Sequence, residues 1–172
     1  LIVRIFRRVV ALDDALGECF DKVAKMLGLG HPGGPLVEQW AAKGNAHAYE
    51  LPIPLKGRKN GDLSFSGLKT AVRMVIESVG THPDESQIAN ICASFQYTAT
   101  ESVKEKLEQA IQQFKAAHPM GKEVVIAGGV AANRYIYEQL KALTDQHGMQ
   151  LTTPPLNLCT DNAAMIAWAG LE

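Results

Sequence analysis

Two glycine-bearing turns and a few well-placed carboxylates carry the chemistry this chain could perform. The run Lys122-Glu-Val-Val-Ile-Ala-Gly-Gly-Val-Ala-Ala-Asn133 reads as a short buried strand, Val124 to Ala127, then Gly128 and Gly129, then an amphipathic stretch. Glycines between a strand and a helix let backbone come close to a ligand and leave N–H groups aimed at it. That arrangement suits a nucleotide, and Asn133, one turn in, could reach a sugar or base edge; a plain strand-to-helix connection accounts for the same residues. Gly33-Gly34-Pro35, with Glu38 one turn later, offers bare backbone on which a nucleoside could lie, or simply a turn that breaks a helix. Asp21 falls on the polar side of a helix, where most aspartates are solvated. A carboxylate beside a ribose can accept hydrogen bonds from both hydroxyls, so Asp21 with Glu38 would also suit a nucleoside clamp.

Asp161, in Leu-Cys-Thr-Asp-Asn-Ala-Ala-Met-Ile-Ala, stands at the mouth of the last expected helix. Such an Asp is ordinarily a cap worth about 1 kcal/mol. As a metal ligand it needs partners, and His31, His47, His82, His118 and His147 include no pair three or four apart. One carboxylate cannot hold a catalytic metal, so any further ligands would lie outside this chain. Two other patterns fail on context. Gly28-Leu-Gly-His-Pro-Gly33 has the letters of a dinucleotide turn but follows a helix, and Pro32 lacks the N–H needed there. Gly67-Leu-Lys-Thr70 is no phosphate loop, because Lys69 does not follow a glycine directly.

The elements that must position these residues follow from periodicity. Leu16, Cys19, Phe20, Val23, Ala24 and Leu27 recur at helical spacing between Asp13 and Leu27. A second helix runs from Pro35, with Leu36, Trp40 and Ala41 as its inner face. Residues 44–61 read as loop or short edge strands, Leu63 to Ser66 as a brief strand, and Gly67 to about Val79 as a helix. Asp84 caps a long helix from Glu85 to about Ala117, its inner face Ile88, Ile91, Cys92, Phe95, Ala99, Val103, Leu107, Ile111 and Phe114. The strand at Val124, a helix to about His147, a strand over Gln150 to Thr153 and a last helix after Thr160 or Asp161 complete an α/β reading. Leu1 to Val10 looks like a strand; with no initiating Met, the chain reads as a piece of something longer.

With 172 residues, 47% of them hydrophobic, one domain with a sizeable core is expected. The net charge of −1 excludes a strongly basic surface, so any nucleic-acid contact must be local or shared with another chain. The densest basic cluster, Lys56, Arg58 and Lys59 with Lys69 and Arg73 beyond, reads as solvated charge. Cys19, Cys92 and Cys159 lie far apart and fit reduced thiols in a cytoplasmic protein. No apolar run approaches membrane-spanning length.

Taken in order, five segments resemble one family. Asp13-Asp-Ala-Leu-Gly-Glu-Cys-Phe-Asp-Lys-Val-Ala-Lys25, Pro32-Gly-Gly-Pro35, Ser64-Phe-Ser-Gly-Leu-Lys-Thr-Ala71, Gly128-Gly-Val-Ala-Ala-Asn133 and Cys159-Thr-Asp-Asn-Ala-Ala-Met-Ile-Ala167 look like the C-terminal half of the tRNA threonylcarbamoyladenosine transferases. That family was long labelled O-sialoglycoprotein endopeptidase or glycoprotease, and the bacterial form is the closer likeness. The resemblance implies an actin-like ATPase fold, shared with sugar kinases and Hsp-type chaperones. This chain would be its C-terminal RNase H-like lobe with a helical insertion, spanning residues 1–172, with the N-terminal lobe absent. It implies transfer of threonylcarbamoyl from its adenylate to the adenosine beside the anticodon of tRNAs reading ANN codons.

By the same likeness Asp21, Gly34, Glu38, Gly128, Gly129 and Asn133 match nucleotide or substrate contacts. Glu38 matters more clearly in archaeal and eukaryotic relatives. Asp161 matches one ligand of a divalent metal, iron or zinc. The ligand would be ATP, AMP or the threonylcarbamoyl-adenylate. Expected partners are tRNA, a shorter actin-like paralogue and a small ATPase, with homodimerisation through exposed lobe surface left open. The family's H-x-x-x-H metal pair belongs to the N-terminal lobe, so the chain alone is expected to be inactive. Val9-Val10-Ala11 replaces the family's Gly-Thr-Thr and is one residue short, and Cys19 stands where alanine is usual. The two alternatives are a glycoprotease-type metalloendopeptidase and a non-catalytic partner-binding module. No H-E-x-x-H, nucleophile elbow or paired acid and base supports peptide hydrolysis.

Overall fold

The computed structural model describes residues 10–11, 15–58, 62–80, 82–155 and 159. Most of the expected first strand, and the expected last helix with Asp161, fall outside the described residues. Contacts divide the chain into two compact units, residues 1–121 and 122–172. Helix and parallel strand occur in both, consistent with the α/β class.

In the first unit β1 (Val10–Ala11) pairs in parallel with β2 (Asp62–Leu63), in register Val10 to Asp62. Four helices accompany them: α1 (Leu16–Met26), α2 (Gly33–Ala41), α3 (Ser66–Val79) and α4 (Glu85–Ala117). The helix α1 buries Cys19, Phe20, Val23 and Ala24, one stripe at 3.6-residue spacing. The stripe of α2 differs from the one expected. Gly33, Val37 and Ala41 are buried, spaced four apart, while Leu36 and Trp40 are only half-buried. The difference comes from Gly33, whose lack of a side chain lets α2 lie close on α1.

The centre of this unit is α4. Asp84 caps it through a reciprocal capping box, its carboxylate accepting from the Gln87 N–H at 2.8 Å. Of the expected inner face, Ile91, Cys92, Phe95, Ala99 and Ile111 are buried, whereas Ile88, Val103, Leu107 and Phe114 are half-buried. From Ile91 to Thr100 every residue but Tyr97 is buried, because α4 is enclosed on several sides. Phe20 of α1 meets Phe95 edge-on with centroids 4.8 Å apart.

A second, polar stripe of α4 is buried against the irregular segment 42–58. Asn90, Ser94, Ser102 and Lys106 lie at multiples of four residues, a row that winds slowly around the helix. Asn90 Oδ1 accepts the Asn45 N–H at 2.7 Å, and Ser94 Oγ accepts the Tyr49 N–H at 3.1 Å. A loop of this length holds many backbone groups that would be costly to bury unpaired, and this stripe satisfies several of them. Gly44 makes the closest approach: a Cβ there would sit 2.1 Å from the Ala89 carbonyl oxygen.

In the second unit β3 (Glu123–Val125) pairs in parallel with β4 (Gln150–Thr152), and α5 (Arg134–Gln146) crosses between them. Ile136, Leu140 and Leu143 of α5 and Leu151 of β4 are buried. The strand at Val124 is shorter and less buried than its apolar run suggests. Val124 is half-buried, Val125 is 66% exposed and Ala127 is exposed. A continuous apolar run belongs to a strand covered on both faces; among the described residues of this unit, only one face is covered.

Two outcomes test this packing. Gly44→Ala should destabilise the chain by about 1–3 kcal/mol through overpacking, while Gly67→Ala, with nothing within 4 Å of the new Cβ, should leave it equal or slightly more stable; urea unfolding measures both. Burial pushes the Cys92 thiol up to about 12 from its ordinary 9.0. The neutral thiol is thus the form the fold favours, so its contribution is complete below pH 9.0 and declines as pH rises toward 12. Alkylation at pH 8–9 followed by mass spectrometry should leave Cys92 unmodified until the chain is unfolded.

Candidate functional site

The first group of candidate residues surrounds the start of α2. Asp21 is not simply solvated on α1: its Oδ1 accepts the Gly33 N–H at 2.7 Å. His31 Nδ1 lies 3.7 Å from the same oxygen. A carboxylate at a helix N-terminus also meets the positive end of the helix dipole, worth about 0.3–1 kcal/mol. The Asp21 side chain remains 42% exposed, and a carboxylate has about four acceptor sites, so it keeps capacity for a further donor.

The two glycines of this turn have different reasons to be there. A Cβ at Gly33 would meet Asp21 Cα at 2.6 Å and Ala24 Cβ at 2.8 Å, so glycine is required by the contact between α1 and α2. A Cβ at Gly34 would meet nothing within 4 Å. Its backbone is half-exposed, and packing within the described residues gives no reason for a glycine there. The first turn of a helix normally leaves several N–H groups without intrahelical partners. Here Pro32 and Pro35 have none, and Asp21 takes that of Gly33. Glu38 lies four residues beyond Gly34, on the same side of α2, half-buried. Asp21 and Gly34 thus stand at the start of α2, with Glu38 one turn further along the helix.

The second group lies in the second unit. Gly128 has φ of 93°, a conformation that favours glycine, and begins a single 3-10 turn over Gly129–Ala132. Both glycines are exposed, and a Cβ on Gly129 would again meet nothing within 4 Å. Asn133 has a structural role that its type and spacing did not single out. It is 7% exposed and caps α5, its Oδ1 accepting the Ile136 N–H at 2.9 Å. That oxygen serves as the N-cap of α5.

No group of three or more His, Cys, Asp or Glu converges among the described residues. The described part of the chain does not itself form a metal site, and Asp161 lies outside it. Sequence reasoning missed the Asp21 bond to Gly33, the His31 neighbour and the buried Lys106. The four-residue spacing from Asn90 to Lys106 was the signal available for the last.

A family model described as tRNA N6-adenosine threonylcarbamoyltransferase matches residues 3–168. The chain belongs to that family. Relatives bearing the same name include a Rhizobium etli protein, 51% identical over 164 residues, covering 94% of this chain and 45% of the relative. A Rhodospirillum rubrum protein is 50% identical over 170 residues, covering 98% of this chain and 47% of the relative. An Agrobacterium fabrum protein is 51% identical over 164 residues. The chain spans about half the length of the curated relatives it matches.

The asymmetry of the two glycines yields a direct outcome. Gly33→Ala should lower the unfolding free energy by about 1–3 kcal/mol, as overpacking does. Gly34→Ala should leave it within about 0.5 kcal/mol of the parent. Chemical denaturation followed by circular dichroism distinguishes them.

Proposed function

We propose that this chain contributes one face of a nucleotide site in a tRNA N6-adenosine threonylcarbamoyltransferase. The observation that carries the reading is that Gly34, beside the Asp21 carboxylate, and Gly129, after the β3 strand, carry no side chain at positions where, among the described residues, one would meet nothing within 4 Å, in a chain of this family. An adenylate needs close backbone approach and N–H donors for its phosphate, with acceptors for its ribose hydroxyls. In the second unit Gly128 and Gly129 are suited to the first role, and in the first unit Asp21 and Glu38 to the second, with the bare backbone of Gly34 beside Asp21; each group is proposed on its own surroundings. Asn133 caps the helix that follows the Gly128–Gly129 turn.

In the reaction, N6 of the tRNA adenosine attacks the carbamoyl carbon of threonylcarbamoyl-adenylate. The C–N bond forms, the bond from that carbon to the phosphate oxygen breaks, AMP leaves, and the amine loses a proton. The groups in this chain bind and orient the adenylate; none is assigned as the base. Orientation alone can supply a large part of a barrier reduction. Asp161 is retained as a single metal ligand, iron or zinc, with the remaining donors supplied from outside this chain. The proposal extends to an actin-like ATPase fold, to tRNAs reading ANN codons, to a cytoplasmic location, and to an actin-like paralogue and a small ATPase as partners. No helix among the described residues is long and apolar enough to cross a membrane.

A chimera tests the reading. The Rhodospirillum rubrum relative, with its matching segment replaced by this chain, should convert tRNA to the threonylcarbamoyl form when given the adenylate, measured by nucleoside mass spectrometry. The chain alone should give no product. Gly34→Val in the chimera should lower kcat/KM at least about 10-fold, roughly 1.4 kcal/mol of lost binding or orientation, with unchanged thermal stability. A folded but inactive chimera contradicts the proposal.

A further inference from the structure

The exposed turn at Lys56 to Arg58 is held far more firmly than a solvated loop requires. Backbone groups of Pro54, Leu55, Gly57 and Arg58 are held by side chains of α4. Ser102 Oγ donates to the Pro54 carbonyl at 3.4 Å. The Lys106 ammonium donates to the Leu55 carbonyl at 3.1 Å and to that of Arg58 at 2.6 Å. Glu105 Oε1 accepts the Gly57 N–H at 2.7 Å. Lys106 is 1% exposed; lysine is almost never buried this deeply unless paired, and here the chain devotes its charge to two loop carbonyls.

The turn itself is strained. Leu55 has φ of 51°, in the left-handed region that non-glycine residues rarely adopt, and Gly57 has φ of 77°. Such a conformation persists only where its surroundings over-determine it, and these cluster at functional sites. The turn presents Lys56, Gly57 and Arg58 to solvent, all exposed. Glu105 and Lys106 stand 3.9 Å apart and offset one another. Neither Lys56 nor Arg58 enters an ion pair among the described residues. Two cations two residues apart are thus displayed on a fixed backbone, in a chain whose overall charge is −1.

From this we infer that the Lys56–Arg58 turn is a contact for the phosphate backbone of tRNA, held in place in advance by Lys106 and Glu105. This inference rests on the transferase reading above and adds to it a surface by which the substrate is held. Fixed cations suit phosphate because their backbone need not be ordered on binding, and phosphate contacts set position without reading sequence. They also reconcile a near-neutral chain with an RNA partner, since the positive charge is local.

The test is tRNA binding by the full chain, followed by fluorescence anisotropy across a salt series. The double variant Lys56→Ala with Arg58→Ala leaves the gripped backbone untouched. It should weaken binding and reduce the slope of log affinity against log salt by about 2, one for each lost phosphate contact. An unchanged slope overturns the inference, as does the absence of any tRNA binding by the unaltered chain. Displacement of tRNA by polyglutamate as readily as by unlabelled RNA would assign the turn to an acidic protein instead and overturn it equally. Product formation by the chimera is read separately, so failure here is distinguishable from failure of the transferase reading.

Discussion

The close approach of α1 to α2 at Gly33 is the constraint on which the candidate site depends. With no side chain there, the first turn of α2 lies against the backbone of Asp21 and the methyl of Ala24. The same approach brings Asp21 Oδ1 onto the Gly33 N–H. One contact thus fixes the separation of the helices, directs the carboxylate and leaves the next residue, Gly34, facing open space. A larger residue at position 33 would shift all three together, because interiors packed at this density transmit displacement rather than absorb it.

The long helix α4 supports that arrangement from behind. It presents an apolar stripe to the other helices and a polar one to the segment 42–58, which contains little regular structure of its own. Hydrophobic burial alone could not order such a segment, because its backbone N–H and C=O groups need partners. Asn90, Ser94, Ser102, Glu105 and Lys106 provide them. The result is a largely exposed loop whose backbone is tied to α4 by side-chain hydrogen bonds while it displays cations at its tip.

Much of this was legible in the residues. The bounds of α4 follow from Asp84, Gln87 and the apolar repeat, since a capping box and a 3.6-residue period are local signals. The strand–Gly–Gly–helix order around residue 128 was equally clear, as was the helical character of residues 16–26. What periodicity could not show was which of several apolar faces would be covered. Leu36 and Trp40 have the hydrophobicity for an inner face, but the close contact at Gly33 selected Val37 and Ala41 instead. Val125 has the character of a buried strand residue and is exposed, because burial depends on neighbours that no single segment encodes. For the site, Asp21, Gly34 and Glu38 could be named from type and spacing, yet the commitment of one Asp21 oxygen to Gly33 arises only when two helices are packed. Asn133 shows the same limit: its type fits both a ligand contact and a helix cap, and of these the cap is visible once α5 is formed.

Amide chemical shifts of the isotopically labelled chain during titration with AMP offer the most direct measurement of the central claim. Saturable shifts are expected at the amides of Gly34 and Gly129, while that of Gly57 stays fixed. Saturable shifts confined to other residues, with Gly34 and Gly129 unmoved, would contradict it.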